Sequence, residues 1–264
     1  MNGVKAWHII HGLEWSLGEA ETEALLKSAS ALAPKASKCP PREPYTVKTI
    51  TLIRSQLNLT VSLDTDTAVF ACLTTLFYAT ACTGEFTMHT LSFFDPKLHV
   101  KCADVHDKQD RQGNIVKNFY LPYTKSAPNS ENMNWAKQSG PSDPASTFNN
   151  HIKVNNPLLD GPLFAYRQGK SHQSLTKSKF IKTLNAALKA QGRTPLQGHG
   201  IRIGSTLEYL LHNIPFNVVK VKGRWASDAF LLYLRRHAQI LAPYMQAQPD
   251  LHTSLLCLTL LPIH

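Results

Sequence analysis

Three side chains near the end of this sequence have the types and spacing for phosphate chemistry. His199 and Arg202 stand at i and i+3, which puts an imidazole and a guanidinium on one face of a helix's first turn. Backbone amides and the macrodipole at such a terminus already favour an anion. The guanidinium adds a bidentate fork for phosphate oxygens. Further on, Ser227-Asp228 reads as a helix cap, and Tyr233 follows it with Arg235 and Arg236 just beyond. A tyrosine brought beside a phosphate clamp is a candidate nucleophile for covalent phosphoryl transfer.

These groups lie in the most basic part of the chain. Between Ala165 and Arg236 there are 13 Lys/Arg, Lys177, Lys179 and Arg224 among them, opposed only by Glu208 and Asp228. The whole chain carries +10, so the remainder is close to neutral. A local excess of this kind suits a polyphosphate partner. The five cysteines are odd in number and contain no CxxC pair, which argues against a disulfide framework and a structural zinc site. The twelve histidines are scattered with no HExxH-like spacing, so no metal site is expected. No run approaches 18 apolar residues, and the first residues carry no small-residue cleavage site, so neither a membrane span nor a signal peptide is expected.

The elements that must position these residues can be read from periodicity and punctuation. Residues 4–16 and 18–33 are expected to be helical, and 34–44 form a Pro-rich linker. Thr46 caps a helix, and Asp64–Ala81 is an almost wholly apolar one. A turn follows at Thr83–Gly84. Residues 98–106, 115–123 and 132–135 read as an antiparallel meander. Helices then open at Ser142-Asp143-Pro144, at Thr176, at His199, at Pro215 and at Ala229. The class is mainly α with a small antiparallel β-meander.

The combination His199-x-x-Arg202, Gly223-Arg224-Trp225 and Tyr233, in the wording GRWASDAFLLYLRR, resembles the tyrosine recombinase (phage integrase) superfamily. It is most similar to the recombinases of fungal Crypton-like and retrotransposon-borne elements. The resemblance implies that family's catalytic-domain fold, with residues 1–33 as a remnant of a helical core-binding domain, 45–250 as the catalytic domain and 251–264 as a tail. It implies a double-stranded DNA partner, DNA recombination and integration through a 3′-phosphotyrosyl link, no metal or nucleotide cofactor, a synaptic tetramer when active, and a nuclear setting in a eukaryote.

Residue by residue, the resemblance makes Tyr233 the nucleophile and Arg202 the holder of the non-bridging oxygens. His199 supports the phosphate and proton transfer. The histidine-or-tryptophan position falls on Arg224 by counting and on Trp225 by wording and chemistry. Lys125 is the candidate general acid, with Lys137 in reserve. Glu85 matches the acidic residue of an R-x-x-E pattern, but Cys82 stands where that pattern has arginine, and a thiol cannot replace a bidentate cation. Lys177, Lys179, Arg224, Arg235 and Arg236 are the expected DNA contacts. Because of Cys82 and the short N-terminal part, recombination is expected to be impaired. The alternatives are a non-catalytic DNA-binding remnant of a mobile element and a type IB topoisomerase-like enzyme.

Overall fold

The computed structural model describes residues 2–16, 18–37, 42–60, 65–124, 127–225 and 237–245. The chain divides into two compact units, Met1–Pro41 and Arg42–His264, with the division inside the Pro-rich stretch. In the first unit, α1 (Asn2–Ile10) runs into a turn at residues 11–12, α2 spans Glu19–Leu32, and Lys5 Nζ reaches Glu19 at 3.1 Å.

The second unit is built around one helix. In α4 (Thr65–Tyr78) every residue except Asp66 is buried. A helix apolar on all sides is stable only when covered on all sides. Here α3 (Val47–Arg54), α6 (Pro144–Asn155), α7 (Lys177–Ala190) and α8 (His199–Leu211) supply the cover, together with the sheet. The expected caps are present. Thr46 accepts from Thr49 N–H at 3.1 Å, Asp143 from Ala145 and Ser146 N–H at 3.1 Å, and Thr176 from Lys179 N–H at 3.2 Å.

The sheet is an antiparallel meander of β1 (Val105–Gln109), β2 (Ile115–Leu121) and β3 (Glu131–Ala136), in the order β1-β2-β3. Phe119 pairs with Met133 in register, and Phe119, Leu121, Met133 and Trp135 bury the face turned to the core. The fold class is therefore mainly α with a small antiparallel meander, as expected. Two elements differ from expectation. The first strand begins at Val105, and residues 98–104 instead run through turns and a short 3-10 segment. A hairpin, β4 (Tyr166–Gln168) with β5 (Ser171–Gln173), also lies between α6 and α7.

The placement of α8 matters most for function. Buried hydroxyls join it to α4's C-terminal end: Thr80 Oγ1 meets Ser205 Oγ at 2.8 Å, and Tyr209 donates to the Tyr78 carbonyl at 2.7 Å. On another side the segment before α3 crosses α8 at Gly204. A Cβ there would lie 1.9 Å from the Tyr45 carbonyl oxygen, so only glycine allows the approach. Beyond α8, α9 (Phe216–Lys222) and α10 (His237–Met245) complete a smaller core of Leu207, Leu210, Val219 and Ile240. The helix expected from Ala229 lies largely outside the described residues.

Candidate functional site

A cleft of about 1270 Å³ opens in the second unit, where the start of α8 meets α5 (Thr83–Phe86), the start of α7 and the turn after α9. Among its lining residues are Arg42, Cys82, Glu85, Lys177, His199, Arg202, Arg224 and Trp225. Of the expected site residues, His199, Arg202, Arg224, Trp225, Glu85 and Lys177 are therefore brought to one cavity. Lys179 is exposed on α7's first turn and Lys137 is exposed just past β3; neither lines the cleft. Tyr233, Arg235, Arg236 and Lys125 lie outside the described residues.

Arg202 leaves α8 one turn in and is held on three sides. One Nη donates to Cys82 Sγ at 2.9 Å, the other donates to the Gly223 carbonyl, and the guanidinium lies 4.3 Å from the centre of the Trp225 ring. Cation–π stacking of this kind fixes the plane of the fork without spending its donors. Gly223 makes the stack possible, because a Cβ there would fall 1.6 Å from the indole ring. His199, in α8's first turn, is half-buried. Burial, and then the positive charges of Arg42 and Arg202, push its imidazole down from the usual range. At neutral pH it is uncharged and can both donate and accept.

Cys82 is the N-cap residue of α5, and its own N–H donates to Glu85 Oε2 at 2.7 Å, so Glu85 closes a capping box. The expected turn at Thr83–Gly84 is thus the first turn of a short helix. Burial, then Glu85, push the Cys82 thiol up against a weaker pull from Arg202 and Arg224. A protonated thiol is a poor nucleophile, so Cys82 acts here as a neutral contact for Arg202.

Arg224, expected as a DNA contact or at the histidine-or-tryptophan position, is committed to carboxylates instead. Its backbone is left-handed (φ 59°), and its side chain turns inward between two carboxylates. Nη2 donates to both Glu85 oxygens at 2.9 and 2.8 Å, and Nη1 donates to Glu131 Oε1 at 2.5 Å. Side-chain exposures of 10%, 13% and 17% for Arg224, Glu85 and Glu131 make this a largely dry triad, in which the pairing must compensate desolvation. Thr124 Oγ1 also donates to Glu131, at 2.5 Å. Glu131, at the start of β3, was not foreseen. The stretch between Arg54 and Lys97 offers no cation near Cys82, yet folding brings Arg202 and Arg224 to it from 120 and 142 residues away.

The cleft thus holds cations at its lining with two carboxylates committed to Arg224. Among the described residues, the buried Nε–H groups of Arg202 and Arg224 have no acceptor. No group of histidine, cysteine and acidic residues with metal-site geometry occurs among the described residues, and none of their helices is long and apolar enough to cross a membrane.

No protein-family model and no curated protein matches this chain. Among solved structures, it is similar to an FLP recombinase–Holliday junction complex, with TM-score 0.47 and 13% identity over 97% of this chain and 57% of that one. A Flpe–Holliday junction complex gives TM-score 0.48 and 13% identity, over 92% of this chain and 60% of the other. The chain spans less than two thirds of the length of those proteins.

Proposed function

We propose that this chain binds DNA through the cleft as a tyrosine recombinase-like protein, with a strand phosphate held by Arg202 and His199. One observation carries the reading. An arginine and a neutral imidazole in the first turns of α8, with Trp225 stacked on the guanidinium, share a cavity with Arg42 and Lys177. Phosphate is the ligand this set suits. Arg202 brings a fixed positive charge, the terminus of α8 adds its dipole, and Arg42 and Lys177 add further cations on the same lining.

The finer reading extends the motif resemblance. Tyr233 passes its phenolic proton to the neutral His199 imidazole and attacks the scissile phosphorus, a P–O bond forms to the phenol, and the P–O bond to the 5′-oxygen breaks, leaving a 3′-phosphotyrosyl link and a 5′-hydroxyl. Arg202 stabilises the charge that grows on the non-bridging oxygens, and Lys125 protonates the leaving oxygen. On this reading the chain is related to Crypton-like elements, assembles on DNA as a synaptic tetramer, works in the nucleus and is catalytically weakened at Cys82. Incubation with a nicked suicide substrate tests it: a covalent protein–DNA adduct that disappears in Tyr233→Phe is expected at low yield. A higher yield in Cys82→Arg would support the weakening, and robust adduct from the wild type would refute it.

A second reading, DNA binding without cleavage, is favoured by the occupied state of Arg202, whose two Nη groups already bond Cys82 and Gly223. A salt-dependent DNA complex with no adduct, unchanged by Tyr233→Phe, would select it.

A further inference from the structure

The cleft that holds the cations also has an apolar lining. Phe93, Leu98, His99 and Tyr123 line it together with Arg202, Arg42 and Lys177. Phe93 is 51% exposed, Tyr123 44% and Leu98 39%. Single exposed apolar residues need no explanation, but two exposed aromatic rings and a leucine share the lining of one cationic cavity.

The turn that carries Phe93 is held by hydrogen bonds. Leu98 and His99 N–H both donate to the Asp95 carbonyl at 3.0 and 2.9 Å, and Asp95 Oδ1 accepts from Lys97 N–H at 2.8 Å. Phe93 N–H donates to the Thr90 carbonyl at 3.3 Å, and the His99 ring meets Phe93 edge to face, with centroids 5.5 Å apart. An ordered turn therefore presents Phe93 to the cavity.

We propose that Phe93 and Tyr123, with Leu98, form a stacking site for an unpaired nucleobase, next to the phosphate site of Arg202, Arg42 and Lys177. The inference rests on the DNA-binding reading and names the form of DNA it prefers. A nucleotide joins an anion to a flat apolar ring, and the cleft offers cations and exposed aromatic rings on one lining. Charge complementarity excludes a purely apolar occupant. A base within an intact duplex has both faces covered by its neighbours, so a stacking site of this kind selects a bulged, frayed or single-stranded nucleotide.

The test compares two short duplexes of equal length at one salt concentration. One is fully paired and one carries a single bulged 2-aminopurine. The wild type is expected to bind the bulged duplex about 5-fold or more tightly and to quench the 2-aminopurine. Phe93→Ala and Tyr123→Ala, both at exposed positions, should bring the ratio to within about twofold with the affinity for the paired duplex retained. No preference in the wild type, or a preference that survives both substitutions, overturns the proposal. A Phe93→Ala change that abolishes self-association in sedimentation with base preference intact assigns these residues to a second copy and also overturns it. Failure to bind either duplex defeats the DNA-binding reading itself, which separates the two failures.

Discussion

At the scale of residues, Arg224 explains most about how the site is held. A non-glycine residue in the left-handed region costs on the order of 1 kcal/mol, and here the triad with Glu85 and Glu131 holds it there. Removing the cation would leave two mostly buried carboxylates facing each other. Arg224→Gln is therefore expected to lower stability by about 3–5 kcal/mol, and Arg224→Lys by less, measured by urea denaturation. A loss under about 1 kcal/mol would mean the triad is solvated and contributes little. The identity of the candidate phosphate ligands was legible in the sequence, because His199 and Arg202 are neighbours in the chain and a helix must put them on one face. The triad was not, because Glu131 lies 93 residues from Arg224 and only the fold makes them adjacent. For the same reason Cys82 read as an isolated departure from a motif, whereas in space it lies against Arg202.

At the scale of elements, local chemistry predicted well where it was strong. The Thr46, Asp143 and Thr176 caps, the mostly apolar α4 and the meander pairing of β2 with β3 follow from propensity and patterning. The β4–β5 hairpin was missed because its strands have three residues each and most of them are polar, too short for an alternation to register. Residues 98–104 read as strand because Leu98, Val100 and Cys102 make the stretch apolar-rich, yet they are placed by turns and by Val100 accepting from Leu163 N–H at 3.1 Å. The crossing at Gly204 fixes how α8 presents Arg202. Gly204→Ala would force the Tyr45 segment away from the helix, because the clashing atoms are backbone. A stability loss of about 2–4 kcal/mol is expected, with DNA affinity falling in parallel. An unperturbed urea midpoint would show that the two segments separate freely.

At the scale of the whole molecule, charge and protonation set the working conditions. His151 is buried in α6, between the Leu163 carbonyl at 2.9 Å and Asn155 Nδ2 at 3.0 Å, and burial holds it down at about 4. The unfolded chain takes up that proton near pH 6.5, so the contribution of His151 is complete above that value. It drains away as pH falls from about 6.5 to about 4, by on the order of 3 kcal/mol in total. Denaturant midpoints should therefore fall over that window, and His151→Gln should flatten the slope. An identical pH profile in the variant would place the cause elsewhere. His199, also lowered by burial, acts in the same direction. If the chain binds DNA as proposed, the net charge of +10, concentrated in the second half of the chain, is expected to make that affinity steeply dependent on salt.

The measurement that bears most directly on the account is the affinity for a short DNA duplex as a function of salt, for the wild type, Arg202→Gln and Lys177→Gln. Binding at low salt that weakens linearly on a log–log plot is expected. Each substitution should weaken it further and reduce the slope by about one. Absence of binding at low salt, or affinities and slopes identical in all three proteins, would contradict it.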